Sequence, residues 1–383
     1  MNLTSKDISG DFPNSGKIYL NNASVSLMPL QSIEAMKDFL ISYNSIGPDS
    51  IHSQEFIIEK LQNVRKIIAK IINSKPEEVI LTQSTTDGIN IVANGLSFKK
   101  NSNLIIRGKS HEHHANFYPW LRLQNKIKIK NLSIDKNGFF DFKELKKFVD
   151  NNTKLVVMSH ALYNTGSILP VEKIGKLLRN NTSFFIDSAQ TVGCIGNYDV
   201  EKIKCDFMSF NGSKWLCGPM GTGLFYCNKK SHKLLEPMTI GGESATIYNK
   251  TSLSYKDIPD KFQTGFRNYV GMVGLESSIK YLVKYGMDNI RKKNIFLSNL
   301  FRNELSKIKN ITLYGSDNSQ ERTSIVSFSF NGHDPNTIVQ KLEKQNIVLA
   351  VREILEKKII RVSPHFFNTE SEILQVINVI KNL

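Results

Sequence analysis

From about residue 77 onward, short β-rich runs alternate with longer amphipathic stretches, and this alternation constrains the 383-residue chain more than any other feature. Residues 78–82 read as a strand and 87–94 as the helix behind it; 104–107 is the next strand and 142–148 the next helix. Residues 154–158 and 183–187 are short apolar runs of the buried-strand kind, separated by the helical run 171–179, and strands at 206–210 and 222–227 complete the series. Strand–helix alternation of this kind implies a mostly parallel sheet with helices on both faces. Beyond it come a long helix over 290–308, an alternating strand at 324–330, a helix at 335–345, a strand at 347–351 and a last helix at 369–382, which together read as a separate α+β unit. The expected fold is therefore α/β in two parts: an N-terminal arm at 1–17, a large domain at 18–265 and a smaller α+β domain at 266–383.

Composition narrows the classes of function. No apolar run approaches the ~18 residues that cross a bilayer, and residues 1–16 lack the apolar stretch of a secretory signal, so the cytoplasm is the expected compartment. The 50 Lys and Arg outnumber the 35 Asp and Glu for a formal charge of +15, a balance that would suit a nucleic-acid binder. The lysines are scattered in pairs through expected helix ends and loops, however, which reads as a generally basic surface rather than a nucleic-acid groove. Four cysteines, Cys194, Cys205, Cys217 and Cys227, contain no CxxC pair and fit no zinc framework.

Ligands of an open parallel sheet sit beyond the carboxyl ends of its strands, so the polar residues after each strand carry the chemistry. They are Ser84-Thr85-Thr86, His111 to His114, Ser159-His160 with Asn164, Asp187 with Gln190, and Asn211 to Lys214. Asp187 closes one apolar strand and Lys214 follows another. A carboxylate and an amine at neighbouring strand ends are what pyridoxal-phosphate chemistry needs: the amine condenses with the cofactor aldehyde, and the carboxylate keeps the pyridine nitrogen protonated. The same pair also suits a surface lysine beside a strand-end cap. His111, His113 and His114 raise the alternative of a zinc site, but no fourth ligand stands nearby and no metal is expected.

Six motifs in series add a family resemblance. Tyr19-Leu-Asn-Asn-Ala23 resembles the Y-L-D-N-A opening of class V aminotransferases and cysteine desulfurases, and Ser84-Thr-Thr-Asp-Gly-Ile-Asn90 their phosphate-binding T-T-E-x-I-N turn. Glu112-His-His-Ala-Asn116 with Pro119-Trp120 is similar to the E-H-H-A-N…P-W run of the desulfurase and selenocysteine-lyase branch. Asn164-Thr-Gly166 with Pro170, Asp187-Ser-Ala-Gln190, and Lys214 within Gly212-Ser-Lys-Trp-Leu-Cys-Gly-Pro219 follow in order. The resemblance implies fold type I, pyridoxal phosphate as cofactor, a homodimer, and an amino-acid substrate. It implies that Thr85 and Thr86 bind the phosphate, that His113 stacks on the ring, that Asn164 and Gln190 contact its oxygen side, and that Asp187 pairs with its nitrogen. Lys214 would carry the cofactor and then act as base at the α-carbon. Arg361 matches the arginine that holds the substrate carboxylate, and Arg352 stands where a second one is common.

The match breaks in informative places. A desulfurase of the familiar kind attacks sulfur with a cysteine on a C-terminal loop; residues 351–360 occupy that region without one, and no cysteine follows Cys227. Ser213 replaces a histidine before the lysine, Asn211 a serine, and Phe266 a threonine that reaches the partner subunit's phosphate, leaving Arg267 beside it as a substitute contact. A carbon–sulfur (or carbon–selenium) lyase working by elimination is the expected reaction. An aminotransferase with a 2-oxo acid, an amino-acid epimerase and a basic non-catalytic binding protein are the alternatives, and nothing in the sequence names a sulfur acceptor.

Overall fold

The structure is a computed structural model that describes residues 8–108, 111–178, 182–248 and 252–383. The chain opens with the short strand β1 (Ile18–Tyr19) and two long helices, α1 (Leu30–Ile46) and α2 (Ile51–Ile72), for which no expectation was drawn. In α2 the buried positions Ile57, Leu61, Val64, Ile68 and Ile72 recur every three or four residues, so one stripe faces the core. Ser50 caps the first turn by accepting from the Ser53 amide, and Asn73, left-handed at φ 53°, ends the last.

Seven strands then build the main sheet: β2 (Val79–Thr82), β3 (Asn103–Arg107), β4 (Lys128–Leu132), β5 (Thr153–Ser159), β6 (Ser183–Asp187), β7 (Phe207–Asn211) and β8 (Gly223–Cys227). Their spatial order is β2-β8-β7-β6-β5-β3-β4, and β3 to β7 are parallel neighbours while β8 runs antiparallel between β7 and β2. Alternate side chains enter two separate cores. Val156, Met158, Phe184 and Ile186 join the cluster under α2, and Leu155, Val157 and Phe185 join the one on the opposite face. Burial on both faces is why these strands read as unbroken apolar runs rather than alternating ones. The edge strand β4 carries Lys128 and Lys130, charges that discourage further pairing.

Helices α3 (Thr85–Gly95), α4 (Tyr118–Leu121), α5 (Phe142–Phe148), α6 (Val171–Leu177) and α7 (Val200–Ile203) are the connections. The sequence places the end of α6 at residue 179, which lies outside the described residues. A hairpin, β9 (Ala245–Tyr248) with β10 (Ser252–Tyr255), precedes α8 (Tyr269–Tyr285), and α8 packs on α1 and α2 in the core of the large sheet. After α9 (Met287–Leu305), a four-stranded antiparallel sheet in the order β11-β12-β15-β14 comprises β11 (Ile311–Tyr314), β12 (Val326–Phe330), β14 (Ala350–Ile354) and β15 (Lys357–Val362), with β13 (Ile347–Val348) pairing in parallel with β1. Helices α10 (Pro335–Glu343) and α11 (Glu370–Lys381) complete this unit around its own core of Leu297, Phe301, Val326, Phe328, Ile360 and Ile377. An α/β fold with a large, mostly parallel sheet and a smaller α+β unit is thus what the chain forms.

One correction concerns residues 351–360. Instead of a loop, they make the facing strands β14 and β15, joined at Leu355–Glu356, both left-handed at φ 46° and 65°. A two-residue turn with two positive φ angles matches the twist of the strands it joins.

Candidate active site

Beyond the carboxyl ends of β5, β6 and β7 lies a cleft with a cavity volume of about 110 Å³. Ser84, Thr85, Thr86, His113, Ser159, Tyr163, Asp187, Gln190, Asn211 and Lys214 line it, so nine residues named for the site from sequence and strand position share one cavity with Tyr163. The N-terminus of α3 supplies one end of it. Ser84 caps that helix by accepting from the Asp87 amide at 3.2 Å, and Ser209 Oγ of β7 donates to the Thr85 carbonyl at 2.9 Å. Gly88 allows this docking, because a Cβ there would fall 2.3 Å from Ser209 Oγ.

Asp187, at the end of β6, is 6% exposed and accepts from the Ala189 amide at 2.9 Å. Burial pushes its carboxyl up to about 6, against the opposing pull of that amide and of Lys214. The Lys214 ammonium is pushed down to about 8, first by burial and then by Arg361 and Arg352, while Asp187 works in the other direction. His113 Nδ1 accepts from the Ala115 amide at 3.2 Å, which leaves the ring proton on Nε2. Burial, then Lys214, His114 and both arginines, hold this imidazole down at about 4, so it is neutral at physiological pH.

The small sheet brings two arginines to the same place. Arg361, 1% exposed on β15, donates to the Tyr163 carbonyl at 2.7 Å, to Ser24 Oγ at 2.6 Å and to Asn21 Oδ1 at 3.2 Å. Arg352 on β14 donates to the same Ser24 Oγ at 2.6 Å. Neither guanidinium has a carboxylate partner among the described residues, and Arg361 Nε is buried without any partner. Two cations sharing one neutral hydroxyl form a site that an incoming carboxylate would neutralise.

Three residues expected at the cofactor lie elsewhere in the structure. Asn164 is fully buried and does not line the cleft; its amide faces His111 Nδ1 at 3.3 Å and donates to the Glu353 carbonyl at 2.9 Å, tying β14 to the large sheet. Ser213 accepts from Asn211 Nδ2 at 2.9 Å just outside the lining. Arg267 pairs with Glu243 at 2.6 Å and borders two other clefts of the same chain. Gln190 lines the cleft, but its carbonyl accepts from Trp215 Nε1 at 2.8 Å and its amide donates to the Ala23 carbonyl at 3.0 Å. The three neighbouring histidines diverge: His111 turns to Asn164, His113 faces the cleft, and His114 stacks on Tyr118 at 4.8 Å.

The Glu112-to-Trp120 motif has a structural task of its own, and Tyr163, to which the sequence drew no notice, joins the site. Glu112 is buried against Arg107 at 3.3 Å, accepts from the His113 amide at 3.2 Å and from Ser159 Oγ, and so fixes the backbone that carries His113. Trp120 Nε1 donates to Asn116 Oδ1 at 3.0 Å, and Asn116 Nδ2 donates to Ser159 Oγ at 3.4 Å. The Glu112-to-Trp120 motif is therefore one hydrogen-bonded brace. Tyr163 sets its ring edge-on to His113 at 5.1 Å between centroids.

This donor set fits pyridoxal phosphate. A helix N-terminus suits a phosphate, and Thr85 Oγ1 there and Asn211 Oδ1 at the end of β7 are buried with no hydrogen-bond partner among the described residues. Asp187 has no ion-pair partner among the described residues, and a protonated ring nitrogen would supply one; Lys214 offers the amine.

The family described as aminotransferase class-V matches residues 18–376. A probable cysteine desulfurase of Methanothermobacter thermautotrophicus is 30% identical, over 97% of this chain and 96% of its own length. The apo structure of a cysteine desulfurase from Thermococcus onnurineus NA1 superposes with a TM-score of 0.91 at 27% identity, covering 98% of this chain and 96% of that one. A cystine C–S lyase in complex with its product cysteine persulfide shares the fold at 22% identity and a TM-score of 0.88, covering 96% and 98%. With the family matched over nearly its whole length, the chain belongs to the class V aminotransferases and is an enzyme that works with pyridoxal phosphate.

Proposed function

We propose that this enzyme breaks the carbon–sulfur (or carbon–selenium) bond of an amino acid by elimination and releases the sulfur as a small molecule. The observation that carries this reading is that no thiol reaches the cleft. Cys194, Cys205, Cys217 and Cys227 are all buried and unpaired, and burial pushes Cys194 up to about 11 and Cys217 to about 12. A thiol held that far above neutrality is scarcely ionised, and the thiolate is the nucleophile a persulfide relay needs. Where a sulfur-carrying loop would stand, β14 and β15 turn back on themselves at Leu355–Glu356. The curated relatives are named cysteine desulfurases, so cysteine is the first substrate to try.

Bound pyridoxal phosphate supplies the electron sink that acidifies the substrate's α-hydrogen. The chain's own residues do the rest. Arg361 and Arg352 would orient the carboxylate, His113 would stack on the cofactor ring, Thr85 and Thr86 would hold its phosphate, and Asp187 would pair with its pyridine nitrogen. Lys214 Nζ takes the α-proton, the bond from the β-carbon to sulfur breaks, and its electron pair leaves with the sulfur. The products are the thiol and 2-aminoacrylate, which water converts to pyruvate and ammonia.

Sulfide and pyruvate are expected in equal amounts from L-cysteine without a reductant, and iodoacetamide pretreatment should leave both unchanged. Alanine in place of pyruvate, or a persulfide on the protein, would show a relay instead; amino transfer that requires a 2-oxo acid would show an aminotransferase, and racemised substrate an epimerase. Arg361→Ala should lower kcat/KM by about 10²-fold, with little recovery in Arg361→Lys, because an ammonium lacks the fork that grips a carboxylate.

We further propose a cytoplasmic homodimer. Unpaired thiols suit a reducing compartment. Ile58 and Phe266, 56% and 80% exposed, border the same cleft as Arg267, an apolar rim suited to a second copy. In that arrangement Arg267 would reach the partner's phosphate rather than its own, and Arg267→Ala should weaken cofactor retention.

A further inference from the structure

An elimination that ejects sulfur leaves a basic anion at the end of the substrate side chain, and a proton donor placed there lowers the barrier. Each polar group lining the cleft can be asked whether it is free for that task. Thr85 and Thr86 lie at the start of α3, at the phosphate end. Ser159 gives its hydroxyl hydrogen to Glu112, and Ser84, whose Oγ accepts from the Asp87 amide, caps α3 at that same phosphate end. Tyr19, close to Arg361 but outside the cleft lining, gives its hydroxyl hydrogen to the Val25 carbonyl at 2.7 Å. His113 offers only a neutral Nε2–H, because Nδ1 already accepts from Ala115, and a neutral imidazole is a far weaker acid than an imidazolium.

Tyr163 remains. It is half-buried, lines the cleft with Lys214 and Asp187, and its hydroxyl has no hydrogen-bond partner among the described residues. Its carbonyl accepts from Arg361 at 2.7 Å, so the residue is fastened to the group that grips the substrate carboxylate, while its ring rests edge-on against His113. Both guanidiniums act electrostatically on its phenolic oxygen. Tyr163 lines the same cleft as Lys214 and is tied through its carbonyl to Arg361, so a substrate with its carboxylate at Arg361 and its α-carbon at Lys214 would lie alongside the Tyr163 ring. Resting on the lyase reading above, we propose that Tyr163 Oη donates the proton that the departing sulfur takes up as its bond to the β-carbon breaks.

Protons and electrons balance within the site. The bonding pair leaves with sulfur, sulfur gains the Tyr163 proton, and the phenolate is restored by the proton that Lys214 removed from the α-carbon. A phenol is an acid weak enough to stay protonated at neutral pH, yet it can give up its proton as negative charge builds on the departing sulfur. Burial raises the phenol further, which keeps it protonated and ready to donate.

The test compares wild type with Tyr163→Phe, which keeps the ring and its packing on His113, across leaving groups of different basicity. With S-methyl-L-cysteine the variant should form pyruvate about 10²- to 10³-fold more slowly, with L-cysteine the loss should be smaller, and with β-chloro-L-alanine, whose chloride needs no proton, the rate should stay within about twofold. Exchange of the substrate α-hydrogen with deuterated solvent, which precedes sulfur loss, should also be unchanged. Equal slowing on all three substrates would overturn the proposal, because Tyr163 would then act through the position of His113. No slowing on any would overturn it too and leave Lys214 as the donor. Wild type that forms no pyruvate from any of the three would remove the lyase reading itself, and this proposal with it, before the variant is needed.

Discussion

Lys214→Ala is expected to purify without the visible absorption of a lysine-bound cofactor, and to lose more than about 10³-fold in turnover. The physical reason is that one amine serves twice, as attachment point and as base at the α-carbon. The folded chain prepares it for both. With its ammonium pushed down to about 8 by burial and by the two arginines, an appreciable share of Lys214 is the free amine at neutral pH. An unburied lysine near 10.4 would be almost wholly protonated there. Lys214→Arg is the control, since it retains a cation but neither condenses with an aldehyde nor accepts a proton. Absorption and turnover that survive in Lys214→Ala would overturn the assignment of the catalytic lysine.

Asp187→Asn is expected to act in opposite directions on activity and on stability of the cofactor-free chain. Activity should fall by about 10²- to 10³-fold, because a neutral amide does not stabilise a protonated pyridine nitrogen. Stability should rise. The Asp187 carboxyl is held up at about 6 by burial, whereas a free aspartate ionises near 3.9. Between those values the folded chain binds more protons than the unfolded one, so this group's contribution to stability declines as pH rises from about 4 through about 6. Above that window the buried anion costs on the order of 2–3 kcal/mol, which the asparagine avoids. Melting curves of the two cofactor-free proteins should coincide near pH 4 and diverge by pH 7.5, with the variant melting higher; a lower-melting variant at pH 7.5 would sink the argument. Cofactor should narrow the gap, since it gives the wild-type carboxylate a cationic partner.

The parts of the molecule that were legible in sequence are those where local pattern and tertiary position coincide. Residues 155–158 and 184–186 are apolar throughout because both faces of β5 and β6 are covered, and a strand end in a parallel sheet is a ligand position whatever packs around it. Asp187 and Lys214 follow from those two facts. The hairpin of β14 and β15 was not legible, since its turn is Leu355–Glu356 rather than the Asn-Gly or Gly-Gly pairs that announce left-handed backbone. The stripe of Ile57, Leu61, Val64, Ile68 and Ile72 carried a readable helical period in α2, although no motif drew notice to it. Asn164 and Tyr163 show the other limit. They are adjacent in sequence, yet one amide turns into the contact with Glu353 while the next ring turns into the cleft, and only the surrounding side chains decide which.

The turn at Leu355–Glu356 also makes this molecule a natural recipient for an insertion. Leu355 is 44% exposed at the tip of a two-stranded ribbon whose ends are already in register, so extra residues there would extend into solvent without shifting Arg352 or Arg361. Lengthening a flexible loop is mild in entropy, about 0.6 kcal/mol for each doubling. A short segment bearing one exposed cysteine, spliced at that tip, would be carried on the same hairpin as both arginines, with Arg352 and Arg361 still in place. Diffusible release and carrier-bound delivery of sulfur would then differ by a graft at a single surface position, with the sheet beneath left intact.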